Sequence, residues 1–296
     1  SNISFTLGLG NEFLTQIQDP TRALTWIHNN VLPHLPHTNI SSIAVGNEVL
    51  TLTLNDTASA VSFSRSLLPA MNSLRTALAS LNLSGVVSVT TPHSLSVLQS
   101  SYPPSGASFR RDLLPSLTPI LSFLDKTGAP FLINAYPFFA YKASPARIPL
   151  DFALADPGAA AVVDPASGLK YFSMLSAQVD AVYSALAAAG FRRIPVVVSE
   201  TGWPSKGDAD EAGASPENAR RYNGNLFRMV SKGGTPTRPG VDMRIYVFAL
   251  FNENMKPGPS SERNYGLFRP DGSPAYELGF GGNLSLTTAS SPPSSG

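Results

Sequence analysis

Short, β-branched apolar runs recur along the chain and alternate with longer stretches in which apolar residues return every three or four positions. The runs at 4–8, 42–45, 86–89, 131–133, 195–198 and 244–250 are almost continuously apolar, as strands of a parallel sheet covered on both faces require. Between them the spacing predicts helices. Leu67, Met71, Leu74 and Leu78 recur at +4, +3 and +4, with Pro69 bending the first half of that helix. Leu175, Val179, Val182 and Leu186 repeat the spacing, and Gly190 supplies a stop. A third helix opens at Ser215-Pro216-Glu217, with a cap, a proline at the first helical position and an early acid. Six strand-then-helix repeats predict an α/β fold of the TIM-barrel type. Two segments fall outside the repeat. Residues 137–170, rich in Pro, Ala and Asp, read as a small subdomain, and 283–296 read as a Ser/Thr/Pro-rich linker or tail after a barrel spanning 1–282.

The residues that follow each run are more informative than the runs. The 42–45 run meets Asn47 and Glu48, the 86–89 run meets Thr90, Thr91 and His93, and the 131–133 run meets Asn134 and Tyr136. The 195–198 run meets Ser199 and Glu200, and the 244–250 run meets Asn252 and Glu253. Barrel enzymes carry their chemistry at the C-terminal ends of the strands. A single glutamate there is most often a solvated side chain. Glu48 and Glu200, 152 residues apart, both follow buried strands in polar and aromatic surroundings. Two carboxyls with separated pKa values can cleave a glycosidic bond, one giving a proton to the leaving oxygen and the other attacking the anomeric carbon.

Composition narrows the partners. The chain has 296 residues, 21 basic and 20 acidic, with no long block of either sign, so it lacks the basic face that nucleic acid needs. Only 14% of residues are charged, and a surface of Ser, Thr and Asn suits neutral, hydroxyl-rich ligands. No run of 18 apolar residues predicts a membrane span. There is no cysteine, and His34 and His37 are flanked by Pro33 and Pro36, so no metal site is expected. Gly8-Leu-Gly10 lacks the third glycine of a dinucleotide fingerprint and reads as a turn, so no cofactor is expected either. No G-x-S-x-G elbow occurs. Sequons at Asn2, Asn39, Asn55, Asn82 and Asn283 tilt the reading towards a secreted glycoprotein. The start at Ser1, without Met or leader, reads as a processed product or a fragment.

Three segments, in order, carry a resemblance. Ala44-Val-Gly-Asn-Glu48-Val, Val196-Val-Val-Ser-Glu200-Thr-Gly-Trp-Pro-Ser205, and Phe248-Ala-Leu-Phe-Asn-Glu253-Asn-Met-Lys256 with Ser261-Glu262-Arg263-Asn-Tyr265-Gly-Leu-Phe268 resemble the signature segments of plant-type endo-β-1,3-glucanases, glycoside hydrolase family 17. Thr91-Pro-His93-Ser and Asn134-Ala-Tyr136-Pro match as well, which places His93 and Asn134 among the substrate-binding candidates. The resemblance implies a retaining mechanism in a (β/α)8 barrel with an open cleft, with Glu48 as proton donor and later base and Glu200 as nucleophile. It further implies that Asn47 bonds the 2-hydroxyl of the cleaved sugar. Glu253, Lys256 and Glu262 would form a charged cluster beside the nucleophile, Lys256 favouring ionised Glu200. Tyr136, Trp203 and Phe251 would serve as platforms for sugar rings. The implied partner is a β-glucan polysaccharide, met by a secreted monomer of the extracellular space or cell wall, with a C-terminal module or anchor beyond the linker. Mixed-linkage β-1,3-1,4-glucan cleavage and non-catalytic glucan binding are the alternatives. The family's acid and nucleophile end its fourth and seventh strands, whereas Glu48 and Glu200 end the second and fifth runs here. The expectation is therefore that the first two β/α units are absent, leaving six units, two unpaired sheet edges, imperfect closure and weakened activity.

Overall fold

The structure, a computed structural model, describes residues 3–52 and 58–277. The 283–296 tail and the sequon asparagines Asn2, Asn55 and Asn283 lie outside the described residues. The chain forms two compact units. The first takes the described residues of 1–135, 161–201 and 233–246, and the second those of 136–160, 202–232 and 247–296. The 137–170 excursion is divided between them, its first part in the second unit and its last ten residues in the first.

The first unit runs β1 (Ser4–Leu9), α1 (Leu14–Ile17), α2 (Pro20–Asn30), β2 (Asn39–Val45), α3 (Val49–Leu52), α4 (Ala58–Ser80), β3 (Ser88–Thr90) and β4 (Pro92–Ser94). A small hairpin, β5 (Leu98–Ser100) and β6 (Ser108–Phe109), leads to α5 (Leu114–Thr127) and β7 (Phe131–Asn134). The chain then contributes α6 (Pro137–Ala143) and α7 (Leu150–Ala153) to the second unit. It returns through the hairpin β8 (Val162–Val163) and β9 (Lys170–Tyr171) to α8 (Met174–Ala188) and β10 (Val196–Thr201). After α9 (Pro216–Lys232) in the second unit, β11 (Ile245–Val247) joins the sheet beside β10.

β1, β2 and β3 lie side by side, as do β4, β7, β10 and β11. β3 and β4 are one strand interrupted at Thr91, so six strands follow one another in chain order. The pairs β1–β2, β2–β3, β4–β7 and β7–β10 are parallel. Among the described residues, β1 and β11 share no backbone ladder; the Thr6 hydroxyl meets the Tyr246 hydroxyl at 3.1 Å and links the first strand to the last. Side chains alternate across the sheet. Ile43, Val45, Val89, Phe131, Ile133, Val196 and Val198 are buried on one face, and Ala44, Leu132 and Val197 cluster on the other.

The helices form for the reasons their sequences give. Asp19 caps α2, its carboxylate accepting from the backbone N–H groups of Thr21 and Arg22, and Pro20 takes the first position, where no donor is needed. α4 carries Pro69 within its 23 residues and buries Leu67, Met71, Leu74 and Leu78, against which α1 and α2 pack. Ser173 caps α8, and Gly190 follows that helix at φ 91°, a left-handed conformation that glycine adopts without strain. Ser215 caps α9 through the Asn218 N–H.

Two expected strand boundaries are corrected. The 86–89 run begins too early and stops too soon: Val86 is exposed in a turn, the strand starts at Ser88, and β-branched Thr90 and Thr91 carry the chain onward to Ser94. The 244–250 run is also too long. Ala249 and Leu250 leave the sheet and bond the backbone of 265–268 instead.

The second unit is organised around Trp203, which is fully buried among Phe138, Tyr141 and Tyr222 and donates its indole N–H to the Gly213 carbonyl at 2.9 Å. Gly202 is required just before it, because a Cβ there would lie 2.0 Å from the Phe248 carbonyl oxygen. The buried Glu211 carboxylate ties three stretches together by accepting from Lys142, from the N–H and hydroxyl of Ser261, and from the Asp208 N–H. Burial alone would raise its pKa, but these donors hold it at about 2.

Candidate active site

The C-terminal end of β2 turns sharply into α3 through Gly46, Asn47 and Glu48. Gly46 has φ 64° and Glu48 φ 54°, so a non-glycine residue is held in the left-handed region, a conformation that costs roughly 1–3 kcal/mol and persists only where surrounding contacts dictate it. Those contacts are visible. Gly46 N–H donates to the Leu9 carbonyl at 2.8 Å, Glu48 N–H to the Pro92 carbonyl at 3.0 Å, and the Thr51 hydroxyl to the Glu48 carbonyl at 2.8 Å. The Asn11 side chain brackets Asn47 itself, accepting from its N–H at 2.7 Å and donating to its carbonyl at 3.1 Å.

Asn134, at the end of β7, joins the two glutamate segments. Its amide nitrogen donates to Glu48 Oε1 at 2.9 Å and to Asn47 Oδ1 at 3.1 Å, and its oxygen accepts from the Ser199 hydroxyl at 2.7 Å. On the neighbouring strand Glu200 is the residue in register with Asn134, and its carbonyl accepts from the Ala135 N–H. The register shifts between Val198 and Glu200, which leaves Ser199 as an extra residue. In an unbroken strand Ser199 and Glu200 would face opposite sides; with this bulge both line the same cavity. The cavity, about 670 Å³, carries Asn11, Asn47 and Glu200 towards the strand ends and Thr6, Ser42 and Thr90 deeper among the strands.

The other candidates are placed differently. Glu253, Lys256 and Glu262 form their own cluster in the second unit, the Lys256 ammonium lying 3.0 Å from Glu262, 3.4 Å from Glu253 and 4.9 Å from the centre of the Phe248 ring. Burial pulls the Lys256 pKa down, but the hydrogen bond and charge of Glu262, with Glu253 adding to them, outweigh this and raise it above the ordinary lysine value. Tyr136 is half-buried against Phe139, Phe248 and Tyr265. Phe251 is 40% exposed and rests on Phe268. Trp203 is 0% exposed and therefore has no face to offer a sugar ring, which corrects its expected role as a platform.

Comparison with known proteins bears directly on this arrangement. The model of glycosyl hydrolases family 17 matches residues 1–280. The chain belongs to that family. It is 60% identical over 283 residues to glucan endo-1,3-beta-glucosidase 11 of Arabidopsis thaliana and 56% identical over 283 residues to glucan endo-1,3-beta-glucosidase 10 of the same plant. These alignments cover 95% and 94% of the chain but 65% of each relative, so the chain spans about two thirds of their length. Among solved structures it is similar to a beta-1,3-glucanase and allergen of Cryptomeria japonica pollen, with TM-score 0.86 and 40% identity over 93% of this chain and 83% of that one. A second match is one of two plant beta-glucan endohydrolases with distinct substrate specificities, with TM-score 0.83, 34% identity and coverage of 95% and 85%. The fold is accordingly that of the family 17 barrels, α/β with a parallel sheet.

Within this family 17 chain, His93 does not reach the cavity. It lies inside β4, 1% exposed, with its ring stacked on Phe131 at 4.6 Å and neither ring nitrogen hydrogen-bonded among the described residues. Burial lowers its pKa from 6.5 to about 3. The unfolded chain protonates this histidine near 6.5, whereas the folded chain keeps it neutral down to about pH 3. Between those values the unfolded state binds the extra proton, so stability falls as pH falls, by up to roughly 1.4 kcal/mol per unit from this group. His93→Leu is expected to remove that part of the slope. Urea midpoints at several pH values between 7 and 4 check it, and parallel slopes for the two proteins would refute it.

Two residues of the site escaped the sequence reading. Ser199 was visible as a strand-end hydroxyl, but the bulge that turns it and Glu200 the same way has no sequence mark. Asn11 follows β1 as Asn47 follows β2, and that parallel is the available signal; Gly8-Leu-Gly10, expected to be a turn, is strand as far as Leu9.

Proposed function

We propose that this chain hydrolyses internal β-1,3-glucosidic bonds of β-glucans with retention of configuration, using Glu48 as acid and base and Glu200 as nucleophile. The observation that carries the reading is Asn134, which holds the Glu48 carboxylate while standing in register with Glu200. The end of β2 and the end of β10, far apart in sequence, both meet at Asn134. Glu200 attacks the anomeric carbon as the glycosidic C–O bond breaks, and Glu48 gives its proton to the departing oxygen. The Glu48 carboxylate then takes a proton from water, whose oxygen displaces Glu200 from the sugar. Asn47, exposed at the cavity's rim, is suited to bond the 2-hydroxyl of that sugar. Lys256 with Glu253 and Glu262, and the rings of Tyr136 and Phe251, all in the second unit, are proposed as further substrate-binding residues.

The β-1,3 linkage is favoured because the Arabidopsis relatives carry that activity in their names and are far more similar to this chain than the endohydrolase pair of distinct specificities. Release of reducing sugar from laminarin and from a mixed-linkage glucan tests it. Preference for laminarin supports the assignment, preference for the mixed polymer moves it to β-1,3-1,4 cleavage, and turnover of neither leaves glucan binding without catalysis. Export as a glycoprotein of the cell wall fits the exposure of Asn39 and Asn82, the sequon asparagines among the described residues. No helix among the described residues is long and apolar enough to cross a membrane.

A further inference from the structure

The geometry points to Asn11 as a positioning residue for the acid, one that acts through the backbone of Asn47. The inference rests on the proposed role of Glu48 and adds a part to it.

Glu48 can reach Asn134 only from the turn it occupies, and two of that turn's three residues are left-handed. A glutamate has no intrinsic reason to stay there. Two of the turn's three residues are fastened by backbone bonds: Gly46 to Leu9, and Glu48 to Pro92. Asn47, between them, has both its N–H and its carbonyl bonded by one side chain, that of Asn11. The pairing also fixes which way the Asn11 amide faces, since a flipped amide would set donor against donor and acceptor against acceptor. The fit is close. A Cβ on Gly46 would lie 2.8 Å from Asn11 Oδ1 and 2.6 Å from Val49 Cγ2, so the glycine is needed in part to admit the asparagine. Asn11 is anchored independently of the turn, at the start of the short 3-10 helix Asn11–Phe13 that closes β1. The chain therefore uses the end of its first strand to set the backbone at the end of its second, and through it the carboxyl that Asn134 receives.

Loss of Asn11 should leave the glucan bound but the proton poorly delivered. For Asn11→Ala, kcat on laminarin is expected to fall roughly 10- to 100-fold with KM little changed. An aryl β-laminaribioside with a dinitrophenolate leaving group needs no proton at the departing oxygen, and its bond-cleavage step should fall much less. Asn11→Asp keeps the bond from Asn47 N–H but sets a negative charge near Glu48. Its second oxygen would face the Asn47 carbonyl that the amide nitrogen served, so turnover should fall here too, with the basic limb of the kcat/KM profile moved to higher pH. Equal losses on both substrates, or no loss on either, would overturn the inference. Should Asn11→Ala fail to fold by circular dichroism, the same comparison is made with Asn11→Asp, for which an unmoved basic limb is the adverse result. Glu48→Gln separates this inference from its foundation. If that variant retains full laminarin turnover, the role of Glu48 itself is wrong. If it loses turnover while Asn11→Ala does not, only the positioning role fails.

Discussion

Glu200→Gln is expected to lower laminarin turnover by on the order of 10⁴-fold or more, because a neutral amide cannot form or stabilise the bond to the anomeric carbon. Glu48→Gln should cost roughly 10²–10⁴-fold on the same substrate, the usual contribution of a positioned general acid. Glutamine preserves the size of both side chains. At position 48 it can still accept from Asn134 through its carbonyl oxygen, so neither change should disturb the turn or the bulge that sets the site. The two roles are told apart with azide. In Glu200→Gly, azide entering the vacated space should yield the α-glycosyl azide, with inverted configuration. In Glu48→Ala, azide should intercept the glycosyl-enzyme and yield the β-product. Exchanged products would reverse the two assignments. Turnover within a few-fold of the parent in either glutamine variant would remove that residue from the mechanism.

The largest effect on stability is expected from Trp203→Ala, at roughly 3–5 kcal/mol. The indole is fully enclosed, touches Phe138, Tyr141 and Tyr222, and supplies the donor for the Gly213 carbonyl. Truncation leaves both a cavity and an unpaired carbonyl, and the loss is a large fraction of the 5–15 kcal/mol that holds a typical domain together. Trp203→Phe should recover much of the packing and none of the hydrogen bond. Urea unfolding followed by circular dichroism reads both. A Trp203→Ala protein with an unchanged midpoint and a raised KM would instead mean that the ring serves the sugar.

Much of this architecture is legible in the chain, and the misreadings have physical causes. Apolar runs overlapped all six strands of the sheet, although β1 and β11 are partly exposed and not covered on both faces. Their ends were less certain, because apolarity reports burial and says nothing of which backbone a residue bonds. Phe248 to Leu250 are as apolar as the strand before them, yet Ala249 and Leu250 pair with 265–268. His93 reads as a strand-end ligand when the strand is ended too soon; with the chain running on through Thr91 to Ser94, its ring stacks on Phe131. Trp203, next but two to a catalytic candidate, invited a role that burial denies it. The pairing of Glu48 with Asn134, and of Asn47 with Asn11, joins residues 86 and 36 positions apart, where no local pattern reaches.

The use made of Asn134 divides the site into fixed and adjustable parts. Both amide protons of that side chain are engaged, one by Glu48 and one by Asn47, and its oxygen holds Ser199. An amide so occupied keeps only one lone pair of its oxygen with which to meet a hydroxyl. If the chain acts on glucans as proposed, discrimination among them is expected chiefly from more exposed groups, the rim at Asn47 among them. Attempts to retarget the protein to another polysaccharide have their scope there, while variation at Asn134 would alter how fast any substrate is cut and leave the choice of substrate where it was.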